Sequence, residues 1–250
     1  MSTTKNNPAI VGTSRLAREW LALSQEKGLD ADLVSDPARV ASTAALVLDT
    51  SIGDEIIKRN TLEKLDGTLP AAAVIVTSCL GCSTTLMASW TQRPERVVGF
   101  ATFYPLKDRK VIEIAAGLKT SGAAMQQAQE YFKSLGKETI KVKDAAGLTF
   151  PRILSLIINE AARSFEEGVA NAEEIDIAMR LGVNYPIGPL RWADRIGLDE
   201  VLAVLEGLER ETGDDRYRAA PLLKQLVVAG FLGETSRRGF YFYNENQVKS

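Results

Sequence analysis

The chain has 250 residues, 45% hydrophobic and 25% charged, a composition that suits one large or two small globular domains with a sizeable core. Thirty Lys and Arg against 32 Asp and Glu leave a formal net charge of −2, which gives no general pull toward nucleic acid or an anionic membrane surface. There is no histidine, which excludes Ser-His-Asp and Cys-His catalysis, any imidazole general base and any metal site that needs His ligands.

Met1 to Asn7 is polar and carries no secretory pattern, and apolar stretches such as Ala71 to Val76 are far too short to span a bilayer. Two cysteines cannot make a disulfide framework, so a reducing cytoplasm is the expected compartment. Ala9-Ile10-Val11 reads as a short strand ending at Gly12, and Leu16, Trp20 and Leu23 follow at helical spacing up to Gly28. Asp32 to Asp36 and Ala44 to Leu48 read as the next strands, with one or two helices between Gly53 and Leu69. Ala73 to Val76 is a buried strand, followed by a small-residue turn and a helix from about Thr84 to Thr91. Val97 to Phe100 and Val111 to Ile114 are further strands. This alternation predicts an α/β layer with a mostly parallel sheet.

The character changes near Gly147. Ile153, Leu154, Ile157, Ile158, Ala161 and Phe165 form a helical stripe, and Ala172–Leu181, Leu198–Thr212 and Pro221–Ala229 are further helices. The next strand pattern is Phe240 to Tyr243. The reading is an α/β domain over 7–147 and an all-helical one over 148–246, with no internal repeat or long linker. Cys79 and Cys82 form a CxxC between a strand and a helix, where a thiol can be activated by the helix N-terminus. Small residues packing in a turn explain the pair as well. Zinc has no further Cys or His to bind.

The second half contains the strings Asn159-Glu160-Ala161, Asp176 to Gly182, Tyr185-Pro186-Ile187-Gly188-Pro189-Leu190, Ala193 to Asp199 and Arg238-Gly239-Phe240-Tyr241. In that order they resemble the C-terminal domain of the 3-hydroxyacyl-CoA dehydrogenases of the 3-hydroxybutyryl-CoA type. The resemblance extends back through Arg93 to Gly99 and covers nearly the whole chain. It implies a Rossmann-like NAD-binding domain followed by an all-α dimerisation domain. It also implies hydride transfer between NAD and the 3-hydroxyl carbon of an acyl-CoA, and pairing with itself or with an active relative.

Carried over position by position, the family's glycine-rich turn falls on Gly12 to Ala17, with Ser14 at the second glycine and Arg15 bringing a charge beside it. Asp36 falls where an acidic residue could bond a ribose hydroxyl, although from the residues alone the favoured reading is an Asp-Pro turn. The family's long helical excursion after the second strand, which helps to hold CoA, is reduced to the few residues from Asp36 to Ala44. The catalytic histidine of the family aligns with Ala101, its neighbouring asparagine with Tyr104 and its orienting glutamate with Glu113. Glu113 is then either a base in its own right or a carboxylate bonded to backbone. Tyr104 would need a neighbouring cation to act as an acid, and Lys107 is close in sequence. The Asn-Thr-Ser-Ser turn becomes Ser78-Cys79-Leu80-Gly81, and the asparagine opening the C-terminal helix becomes Pro151. These departures lead to three readings: a family member without the usual mechanism, an oxidoreductase with altered acid/base groups, or a CxxC thiol protein.

Overall fold

The computed structural model describes residues 8–52 and 55–244. Met1–Asn7, Gly53 and residues 245–246 of the sequence reading lie outside them. The chain divides into two compact units, one ending at Phe150 and the other beginning at Pro151.

The first unit is a seven-stranded sheet of β1 (Ala9–Val11), β2 (Asp32–Val34), β3 (Leu46–Asp49), β4 (Val74–Ser78), β5 (Val97–Ala101), β6 (Val111–Ala116) and β7 (Glu138–Val142). The spatial order is β2-β1-β3-β4-β5-β6-β7, and every pair is parallel except β5 with β6. The order reverses at β1, a switch point at which doubly wound sheets open a crevice beyond the carboxyl ends of their strands. Helices α1 (Arg15–Glu26), α2 (Glu55–Thr68), α3 (Thr84–Ser89) and α4 (Gly122–Ser134) connect the strands.

Residues two apart along a strand share a face. Leu46 and Leu48, Val74 and Val76, Val98 and Phe100, and Ile112 and Ile114 therefore present one apolar surface, packed with Trp20 of α1 and Phe132 of α4. The Trp20 ring lies 5.5 Å from Phe132 and 6.4 Å from Phe100, centroid to centroid. Gly99, Ala101 and Glu113 lie on the opposite face. A Cβ at Gly99 would stand 2.0 Å from Thr84 Oγ1 and 2.8 Å from Cys79 Sγ, so only glycine lets α3 approach β5 this closely.

Helix α4 and strand β7 were not anticipated. Helix α4 has a legible signal, the Ser121 hydroxyl accepting from the Ala124 amide, followed by buried Ala124, Met125, Ala128, Tyr131 and Phe132 at helical spacing. Strand β7 is a half-exposed edge rich in charged residues, and its pattern is correspondingly weak. Between β2 and β3 stands only the 3-10 turn Pro37–Arg39.

The second unit is helical, with α5 (Phe150–Glu166), α6 (Ala172–Gly182), α7 (Pro189–Ile196), α8 (Leu198–Thr212) and α9 (Pro221–Val228). The short α7 was also not anticipated. Buried carboxylates fix the helix starts and the C-terminal segment. Asp176 accepts from the Leu190 and Arg191 amides and from the Tyr241 hydroxyl. Asp194 accepts from the Phe240 and Tyr241 amides and the Tyr243 hydroxyl, each at 2.9 Å. This corrects the expected strand at Phe240 to Tyr243. Two of its amides go to a carboxylate instead of a ladder, and only isolated bridges form there.

Candidate functional site

The turn from β1 into α1 is built around Gly12, whose φ of +143° suits glycine alone. A Cβ there would also sit 2.2 Å from Thr50 Oγ1, and that hydroxyl donates to the Val11 carbonyl. Ser14 is the N-cap of α1, its hydroxyl accepting from the Ala17 amide at 3.2 Å. At the end of β2, Asp36 caps the 3-10 turn through the Ala38 amide, and its half-exposed side chain lies 4.0 Å from Arg39 Nε.

Ala101 and Glu113 are register partners across the antiparallel pair β5/β6. Their side chains therefore emerge side by side on one face, with Cβ atoms about 4.5–5.5 Å apart by the geometry of such pairs. One member of this pair is a methyl group. The other is a carboxylate with both oxygens engaged, since Oε2 accepts from the Thr149 amide at 2.7 Å and Oε1 from the Phe150 amide at 2.9 Å. Burial pushes the Glu113 pKa up, against the two amide bonds that pull it down. Ala101 and Glu113 line a cleft of about 510 Å³ together with Arg109, Ile140 and Phe150. Thr102 also lines it, and its buried hydroxyl has no hydrogen-bond partner among the described residues.

Tyr104 does not line that cleft. Its ring is stacked by the guanidinium of Arg15, 4.2 Å from the ring centre, so the cation at this tyrosine comes from α1 and not from nearby Lys107. Pro151 is buried in the first turn of α5 and offers no side-chain donor. Cys79 is fully buried, and its thiol donates to the Phe100 carbonyl at 3.1 Å. Burial drives its pKa strongly upward, away from the thiolate that redox chemistry needs. Cys82 is buried as well, and both are free thiols.

Sequence reasoning missed a buried ion pair at the carboxyl ends of β3 and β4. Lys58 Nζ donates to Asp49 Oδ2 and to the Ser51 carbonyl, both at 2.7 Å. Thr77 donates to the same carboxylate oxygen, and the Ser51 amide and hydroxyl donate to the other. A small cavity beside the pair is lined by Ser51, Lys58, Ser78, Leu80, Gly81 and Cys82. The signal was an aspartate closing the otherwise apolar run Leu46-Val47-Leu48, with a lysine nine residues on that α2 turns inward.

These residues fit one part of a dinucleotide and not another. The glycine turn at Gly12 and the N-terminus of α1 suit a diphosphate, and the Asp36 carboxylate suits a ribose hydroxyl. NAD, when bound, supplies the hydride-carrying ring. The proton that must move with a hydride has no imidazole here, and Glu113 is held by backbone.

Family models match almost end to end. Residues 10–145 match the 3-hydroxyacyl-CoA dehydrogenase NAD binding domain, and residues 147–243 match the C-terminal domain of the same family. The 3-hydroxybutyryl-CoA dehydrogenase of Clostridioides difficile is 40% identical over 200 residues, covering 80% of this chain and 71% of the relative. A probable 3-hydroxybutyryl-CoA dehydrogenase of Bacillus subtilis is 35% identical over 247 residues, 95% of this chain and 86% of the relative. The crystal structure of (S)-3-hydroxybutyryl-CoA dehydrogenase from Ralstonia eutropha is 30% identical, with a TM-score of 0.75 over 97% of this chain and all of that one. The chain therefore belongs to the 3-hydroxyacyl-CoA dehydrogenase family, with NAD as the cofactor of its N-terminal domain.

Proposed function

We propose that this protein is a member of the 3-hydroxyacyl-CoA dehydrogenase family that retains the dinucleotide site and lacks the family's proton-transfer mechanism, acting as a non-catalytic homologue or subunit. One observation carries this reading: the pair Ala101 and Glu113, adjacent across β5/β6, consists of a methyl group and a carboxylate already bonded to two amides. A methyl group cannot exchange a proton with a substrate hydroxyl, and the carboxylate beside it is directed at the backbone. The test is NADH oxidation with a 3-oxoacyl-CoA, followed by loss of NADH absorbance. The expected result is no rate above the enzyme-free reaction. Turnover that disappears in Glu113→Gln or Tyr104→Phe would establish instead an oxidoreductase with altered acid/base groups.

The helical unit supports association with a second domain of its own kind, either in a homodimer or with an active relative. Val169, Leu181 and Val183 are exposed on it, and an apolar groove of about 380 Å³ lies between α5 and α6. Two free cysteines fit a reducing cytoplasm, and no helix among the described residues is long and apolar enough to cross a membrane.

A further inference from the structure

The segment from the end of β7 to the start of α5 is where the chain leaves the sheet unit. It is held at three places. Asp144 accepts from the Thr84 and Thr85 amides at 2.6 and 2.7 Å, the Gly147 amide donates to the Cys79 carbonyl at 2.7 Å, and Glu113 takes the Thr149 and Phe150 amides. Between the last two pins, Gly147 and Leu148 have φ of +68° and +46°, a region in which leucine is uncommon and costs energy. The junction therefore keeps its shape because it is held.

The third pin differs from the other two. Helix α5 has no acidic residue in its first turn, and Pro151 has no N–H to offer. A carboxylate from β6, remote in sequence, takes the two amides ahead of that proline and supplies the negative charge that suits a helix start. Glu113 is 6% exposed and lines the cleft together with Phe150, one of the residues it holds. Its register neighbours, Ala101 on β5 and Ile140 on β7, carry no charge. Farther off, Asp108, Arg109 and Lys110 line the same cleft, and Glu138 lies two residues before Ile140. The Cys79 thiol and Asp144 flank it from the side of β4 and α3, while Arg152 of α5 is turned to Tyr217. None of these charges forms an ion pair with Glu113 among the described residues. Burial raises its pKa from the ordinary 4.5, against the pull of the two amides.

We propose that Glu113 is an acid-sensitive clasp on this junction: its carboxylate holds the start of α5, and protonation releases the Thr149 and Phe150 amides so that residues 147–150 open while the sheet stays folded. A protonated carboxyl turns one acceptor oxygen into a hydroxyl donor, and the negative charge that suited the helix start disappears with it. Because burial favours the protonated form, release begins above the pH at which an ordinary glutamate titrates. The folded state holds this proton more tightly than the unfolded chain does. Its contribution to stability is therefore present at low pH and is lost as pH rises through the raised pKa, so the acid response is a local opening and not a global one.

Hydrogen exchange read by mass spectrometry tests this on the full-length protein from neutral to mildly acidic pH, with rates corrected for their intrinsic pH dependence. The proteins are the wild type, Glu113→Gln and Asp144→Asn. In the wild type, protection over residues 147–152 should fall about tenfold on acidification while β3 and β4 keep theirs. Glu113→Gln should show the lower protection at every pH, and Asp144→Asn should keep the acid response. Wild-type protection in Glu113→Gln, an acid response that persists in it, or one that is lost in Asp144→Asn overturns the proposal. If Glu113→Gln does not fold, carbon-13 NMR of glutamate carboxyls in the wild type decides. Loss of junction protection that follows the Glu113 titration upholds the clasp, and protection that stays constant through that titration overturns it.

Discussion

The family's histidine position is occupied by a methyl group, yet the backbone that would carry an imidazole is intact. Because Ala101 and Glu113 are register partners, Ala101→His returns an imidazole beside the Glu113 carboxylate on the neighbouring strand. General acid–base groups contribute roughly 10²–10⁴ in rate. The expected gain in NADH oxidation is nearer the lower end, since Tyr104 and Pro151 still stand where the family has amide side chains. The gain should vanish in Ala101→His/Glu113→Gln, and steady-state rates of the two variants decide it. The buried pair Lys58 and Asp49 makes a different forecast. Lys58→Met leaves a fully buried carboxylate with hydroxyl and amide donors only. Breaking such pairs typically costs about 3–5 kcal/mol, readable as a lower urea midpoint.

Whole elements depend on single carboxylates in the second unit. Asp194 is fully buried beneath the segment from Gly233 to Tyr243, and a Cβ at Gly239 would stand 2.0 Å from its Oδ1. Desolvation raises its pKa to about 6, outweighing the two amides and the Tyr243 hydroxyl that favour the charged form. The folded state therefore holds the proton more tightly than the unfolded chain, where Asp titrates near the ordinary 3.8. This contribution is fully present below the unfolded pKa and is lost as pH rises from there through about 6. A shift of this size corresponds to stability on the order of 3 kcal/mol. Thermal unfolding across that window should show a decline in the wild type that is absent from Asp194→Asn. An equal slope in both proteins would remove Asp194 as its source. The variant should also be less stable throughout, because an amide cannot accept from three donors as a carboxylate does.

At the scale of the molecule, the passage from strand-and-helix alternation to helices alone was legible, because periods of two and of 3.6 residues leave different marks. Much of the resemblance rests on residues that hold the fold. Asp176 and Asp194 are buried anchors for helix starts and for the C-terminal segment, and Gly188 and Gly239 are the glycines that let them approach. Residues of this kind answer to packing, so their presence speaks for the family and not for the chemistry at Ala101 and Glu113. The partners in the site were less legible. The resemblance already paired Ala101 with Glu113, whereas Arg15 with Tyr104 and Asp49 with Lys58 are brought together by loop path and helix placement, which no local spacing encodes. If the helical unit associates through its exposed apolar face, sedimentation should show a dimer for the protein alone or a mixed species with a co-expressed relative. Replacing Leu181 and Val183 by glutamate should shift either to monomer. A monomer in both settings would end that proposal.

The two cysteines also have a use that has nothing to do with catalysis. Both thiols are closed off from solvent in the turn that links β4 to α3, with Cys79 bonded to the strand beside it. A thiol reagent can therefore reach them only when that turn opens. The rate of labelling then becomes a clock for local opening at the carboxyl edge of the sheet. Slower labelling on adding NADH would report, without any assay of turnover, that a ligand tightens this edge.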